Sequence, residues 1–137
     1  PVVRRLQRSA FRLLLSTHHV DCRNCQANKK CGLQDIAKFL NIGLKQKTLK
    51  QILKDKAMDK NHPCLIFFPN RCVLCGKCIS ICQRQEQKTL LTFAKRGFDT
   101  VVSFYGTGKI TDISCGSRSR CVEICPVGAI TLKENSC

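Results

Sequence analysis

The stretch RCVLCGKCISICQ, Arg71–Gln83, decides the fold, because it sets four cysteines in one short run. Their spacing is Cys72-x2-Cys75-x2-Cys78-x3-Cys82. Zinc modules usually present cysteines as separated pairs, each pair gripping one tetrahedral ion. Three cysteines two residues apart instead let a tight loop wrap three corners of an iron–sulfur cube. The fourth, displaced along the helix that follows, points away and serves a neighbouring cluster. The neighbour must then return a ligand. An echo of the run stands further on, SCGSRSRCVEICPVGAI, Ser114–Ile130. Within it Cys125, followed by Pro126, occupies the returning position, so the spacing predicts a [4Fe–4S] site at Cys72, Cys75, Cys78 and Cys125.

The echo is imperfect. It reads Cys115-x2-Arg118-x2-Cys121-x3-Cys125, with arginine in place of the second cysteine. Together with the donated Cys82 this site has three thiolates, Cys82, Cys115 and Cys121. A guanidinium stays protonated and has no lone pair to offer iron. Three outcomes are open. A [3Fe–4S] cluster needs only three thiolates and fits best. A full [4Fe–4S] cube could recruit another ligand, with Cys64 and Cys137 as the unassigned cysteines. In the third outcome the site is empty and Arg118 is a surface cation.

Composition bounds these readings. With 137 residues, twelve cysteines, one tyrosine and no tryptophan, the chain is one domain or two small ones. Its core is limited, and bound metal is a common substitute for one. Disulfides are the substitute in secreted chains, but no export signal supports that: the apolar run Phe11–Leu15 is too short for a signal or a membrane span. The Arg-rich segment before Asp21 loosely resembles a transit peptide, yet it continues unbroken into a candidate ligand and reads as part of the fold. A cytoplasmic location is expected. The net charge of +15 invites a nucleic-acid reading. Between Lys29 and Lys60, however, Phe39 is the only aromatic residue, which leaves little for bases to stack on. Cluster thiolates outweigh the iron–sulfur cores, so three loaded clusters would lower the charge to roughly +10. The lysines then suit either a solvated face or docking on an acidic partner subunit.

The chain divides near Asn61–Pro63. Before it, residues 2–16 carry Arg4, Arg8 and Arg12 at helical spacing with Leu6, Leu13 and Leu14 elsewhere on the wheel, an amphipathic helix. Gln34–Leu40 and Thr48–Met58 are expected as two more helices, with Asn41-Ile42-Gly43 ending the first. After it the pattern turns to short strands: CLIFF at 64–68, TLLTF at 89–93, FDTVVSFYGTGKI at 98–110 running into a Gly-rich turn, and AITLK at 129–133. The order strand, cysteine run, helix, strand occurs twice, which internal duplication explains.

A third constellation lies in HHVDCRNCQANKKCGLQ, His18–Gln34: His18-x3-Cys22-x2-Cys25-x5-Cys31. One imidazole and three thiolates suit zinc as well as iron, and His19 and the remote His62 compete with His18. Beside a two-cluster pattern, iron becomes the stronger reading.

The segment THHVDCRNCQANKKCGLQDIAKFL, Thr17–Leu40, resembles the His/Cys3 segment of a family of redox proteins. These are the large iron–sulfur subunit of respiratory complex I, [FeFe]-hydrogenases, the small diaphorase subunit of NAD-linked hydrogenases, and NAD-dependent formate dehydrogenases. NRCVLCGKC, Asn70–Cys78, and RGFDTVVS, Arg96–Ser103, resemble the two-cluster ferredoxin domain that follows it there. The resemblance covers about residues 10–133. In that family the histidine lies four residues before the first cysteine, which selects His18 and implies a [4Fe–4S] cluster on His18, Cys22, Cys25 and Cys31. The implied fold is α+β, a small helical His/Cys3 domain over 1–60 followed by a βαββαβ ferredoxin-like domain over 61–137. This sequence departs from the family pattern in three ways. The plant-type [2Fe–2S] domain and the hydrogen- or formate-activating domain of the longer members lie outside residues 1–137, so the chain is expected either to be a fragment or to leave the [2Fe–2S] cluster to another subunit, and Arg118 replaces a ligand.

The implied function is relay of single electrons between partner subunits by a chain that is not itself catalytic. The expected partners are a flavin/NAD-binding subunit and a hydrogenase or formate dehydrogenase type subunit, without nucleic acid. No nucleophile–base pair or phosphate-cradling loop stands in the sequence. GTGK, Gly106–Lys109, is too short for a P-loop and suits a hairpin turn. The alternative reading is a zinc-stabilised, basic nucleic-acid-binding module; it accounts for the charge and the Cys3His loop but not for the run from Cys72 to Cys82.

Overall fold

A computed structural model of the chain describes residues 2–86 (backbone alone at 85 and 86), 91–104 and 120–133. The expected Gly-rich turn at Gly106–Lys109, and Cys115, Gly116, Arg118 and Cys137, lie outside the described residues. The fold mixes helices with two small antiparallel sheets, as an α+β chain does.

Helix α1 (Val2–Ser16) buries Phe11 and Leu15, with Leu14 packed against the same core. Two arginines of its polar face have a specific task. Arg4 Nη2 donates to the Phe39 carbonyl at 2.8 Å and Arg8 Nε to the Leu40 carbonyl at 2.9 Å. Both carbonyls end helix α2 (Gly32–Leu40), where the last C=O groups lack intrahelical partners and the helix dipole favours a cation. Asn41 closes α2 in the left-handed conformation, φ 53° and ψ 58°, which asparagine tolerates better than most residues. The sequence signal there was sound.

The expected helix at Thr48–Met58 does not form; the segment is irregular. Its backbone bonds run to other elements. Ile52 N–H donates to the Ser16 carbonyl, and Lys54 exchanges N–H and C=O bonds with the Asn70 side chain. Asp59 pairs with Phe67 as an isolated bridge. Ile52, Leu53 and Met58 stay exposed, so no apolar face would be buried by winding the segment into a helix. A lone helix of that length is marginal without such a face.

Beyond Pro63 the described elements run β1 (Leu65–Phe67), α3 (Lys77–Glu86), β2 (Leu91–Ala94), β3 (Val101–Phe104), α4 (Arg120–Glu123) and β4 (Ile130–Leu132). The first and last strands pair antiparallel, Leu65 opposite Leu132 and Phe67 opposite Ile130. The inner two pair likewise, Leu91 opposite Phe104 and Ala94 opposite Val101. Helices α3 and α4 pack on each other. One buried cluster joins Phe11, Leu15 and Leu33 of the first half to Leu65, Phe67 and Ile130 of the second, so the halves share a core. His62, 2% exposed, sits at the junction: its Nδ1 accepts the Cys64 and Leu65 N–H groups, each at 3.1 Å. Its ring lies 4.6 Å from that of Phe104. Among the described residues no helix is long and apolar enough to cross a membrane.

Candidate iron–sulfur sites

The loop after α1 is shaped by short polar bonds. Asn24 Nδ2 donates to Asp21 Oδ2, and Gln34 accepts the Lys29 N–H while donating to Asn28 Oδ1. Lys29 is thereby held at φ 68°. The loop closes a cavity lined by His18, Cys22, Cys25 and Cys31, with Arg71 and Val127 on its far wall. His18 Nδ1 is buried there and has no hydrogen-bond partner. Burial first, and the nearby charges of His19 and Arg71, push its pKa down to about 4, against an opposing hydrogen bond with the Arg71 backbone. A neutral imidazole with one ring nitrogen tied and the other unpaired is prepared to ligate a metal. His19 also reaches this cavity, but it is exposed. His62 is remote from it, with Nδ1 already engaged.

The second cavity is lined by Cys72, Cys75, Cys78 and Cys125, among the apolar walls of Phe67, Val102 and Ile130. The loop turns tightly because Leu74 and Gly76 both take positive φ, 55° and 72°; leucine there is strained. The chain tightens around two sulfurs: Leu74 N–H points at Cys72 Sγ at 3.4 Å and Ala129 N–H at Cys125 Sγ at 3.3 Å. Burial pushes the Cys78 thiol up to about 12, with Cys72, Cys125 and Cys75 adding repulsion, and raises Cys72 as well. The Cys72 and Cys78 thiolates are thus disfavoured, by burial first and then by their neighbours, until a cation stands beside them. Cys82, one turn further along α3, is not among the residues lining this cavity.

Both donor sets suit an iron–sulfur cluster. Among the described residues no three His, Cys, Asp or Glu side chains converge tightly enough to grip a single ion; a cube spreads its ligands wider than a zinc ion does. Of the third set, Cys82 lies half-buried on α3 and Cys121 buried on α4, on helices that pack together. Cys64 is disulfide-bonded and buried. Two wall residues escaped sequence reasoning. Arg71 adjoins Cys72 yet faces the first cavity, and only its position beside a candidate ligand could have hinted at that. Val127 carried no chemical signal at all.

Residues 7–44 match the family described as NADH-ubiquinone oxidoreductase-G iron-sulfur binding region. The chain is 30% identical over 131 residues to an NADH-quinone oxidoreductase subunit of the G type from Rhizobium meliloti, covering 95% of this chain and 15% of that protein. It is 27% identical over 128 residues to the NADP-reducing hydrogenase subunit HndD of Solidesulfovibrio fructosivorans, covering 93% of this chain and 22% of that one. Among solved structures it is similar to a chain of an NAD+-reducing [NiFe]-hydrogenase in the H2-reduced state, with TM-score 0.82 and 26% identity, covering 98% of this chain and 57% of the other. The chain thus spans about a sixth of the length of the curated relative it matches at 30%.

Proposed function

We propose, for a chain whose residues 7–44 match an iron–sulfur binding region of the NADH-ubiquinone oxidoreductase G type, that it relays single electrons within a multisubunit oxidoreductase. The observation that carries this reading is the pair of cavities, each lined by four separately expected ligands. His18, Cys22, Cys25 and Cys31 would hold one [4Fe–4S] cluster; Cys72, Cys75, Cys78 and Cys125 would hold a second. Cys82, Cys115 and Cys121 would hold a third, of the [3Fe–4S] type. When bound, the clusters supply reversible one-electron chemistry. The residues hold, space and tune them.

Tuning follows from named groups. The Leu74 and Ala129 N–H groups aimed at sulfur favour the reduced state, as does neutral His18 in place of a fourth thiolate. The apolar walls of the second cavity oppose it. The proposed division is a helical cluster domain over 1–60 and a ferredoxin-like domain over 61–137, supported by the β-α-β-β-α-β order of the latter. A flavin/NAD-binding subunit and a hydrogenase or formate dehydrogenase type subunit are the proposed partners, in the cytoplasm, and catalysis belongs to them.

Iron and sulfide analysis of the anaerobically purified chain tests this. The expected result is a brown protein with on the order of ten irons per chain. A colourless protein carrying zinc would overturn it in favour of the zinc-stabilised module.

A further inference from the structure

We propose that the Cys125–Gly128 segment is the electron bridge between the His18 site and the Cys72 site, and that Gly128 sets its span. The inference rests on the cluster reading above. Val127 lines both cavities. Its carbonyl oxygen lies 3.8 Å from Cys25 Sγ. From Cys125 Sγ a covalent path therefore runs along the backbone to the Val127 carbonyl, and a single non-bonded contact completes it to Cys25. The segment is tied down on the same side, because the Pro126 carbonyl accepts the Gly32 N–H at 2.8 Å, next to the ligand Cys31.

Gly128 permits the approach. It adopts φ +62°, and a Cβ built there would stand 2.9 Å from Ala27 Cβ, 3.2 Å from Ala27 N and 3.4 Å from Cys25 Sγ. The first distance is below any real carbon–carbon contact, so a larger residue must push the two ligand loops apart. Electron tunnelling weakens steeply with separation and is poorer across gaps than along bonds. In the transfer one site is oxidised by one electron and the other reduced by one; the bridge itself neither changes oxidation state nor moves a proton.

The test uses the full chain loaded with iron anaerobically, with both clusters reduced for the EPR measurement and both oxidised before the flash. EPR spin–spin splitting between them reports their separation, and flash photoreduction reports how fast an electron equilibrates. The wild type should show the splitting. Gly128→Ala should narrow it and equilibrate more slowly, with iron content and each cluster's own signal unchanged. Gly97→Ala is the control for backbone strain: Gly97 has the same left-handed φ, +60°, but no atom within 4 Å of an added Cβ, and the variant should behave as wild type. The double variant Gly128→Ala/Ala27→Gly removes the colliding methyl and should recover the splitting. If Gly128→Ala sheds iron, the double variant decides: iron and splitting recovered together support the bridge, and iron without splitting overturns it. Unchanged splitting in an iron-replete Gly128→Ala, or none in an iron-replete wild type, also overturns the bridge. A wild type without iron sinks the cluster reading instead.

Discussion

Replacing His62 by alanine separates a structural histidine from a ligand. The ring is buried, its Nδ1 accepts two N–H groups at 3.1 Å, and it lies 4.6 Å from the Phe104 ring. Alanine takes away the acceptor that both buried N–H groups share, at about 1–3 kcal/mol for an unsatisfied buried donor. It also forfeits a ring contact of about 0.5–1.5 kcal/mol. Taking the lower part of the first range for each donor, His62→Ala should lose about 3–5 kcal/mol. His62→Asn places an oxygen where Nδ1 sits and should lose only about 1 kcal/mol, the ring contact alone. Apparent urea midpoints of the iron-loaded chain, followed by circular dichroism, measure the difference.

The pH dependence has a fixed sign. Burial first, then the Lys133 charge, lowers the folded-state pKa of His62 below 6.5. As pH falls through 6.5 the unfolded chain takes up the proton first, so the contribution of His62 is complete above that pH and declines below it. The gap between wild type and His62→Ala should narrow there. An alanine variant as stable as wild type would refute the bonding argument. Loss of iron from a stable His62→Asn would make His62 a ligand after all.

Changing His18 to cysteine should keep a cluster and lower its potential in a redox titration, since thiolate adds negative charge at iron; His19→Cys should leave the potentials alone. Arg71→Gln should lower the potential of the same cluster, because it removes a cation from the cavity wall; an unchanged potential would mean that solvent screens the guanidinium. Loading of the Cys72 site should weaken as pH falls, by about tenfold per pH unit for each proton displaced. The cause is the Cys78 thiol, which holds its proton up to about pH 12 before metal arrives. Arg118→Cys should abolish a near-isotropic three-iron EPR signal of the oxidised protein and add a four-iron signal on reduction, and a four-iron cube already present in the wild type would end the three-iron reading.

What the sequence determined by itself was local. Three cysteines two residues apart, a helix with apolar residues on one face, and an asparagine at a helix end are all encoded within a few residues, because their geometry is set by adjacent dihedrals. The place of Cys125 beside Cys72, Cys75 and Cys78 was legible for a different reason: the second run repeats the first, so the repeat carries long-range information in a local pattern. Tertiary structure decided the rest. Thr48–Met58 had helical residues but nowhere to bury them, and Ser16 and Asn70 claimed its backbone bonds instead. Arg4 and Arg8 were legible only as one side of an amphipathic helix until the end of α2 offered them carbonyls. The approach of Gly128 to Ala27 joins residues about a hundred positions apart in the chain. No local signal marks such a pair, because the contact exists only once the shared core has brought the two cysteine loops together.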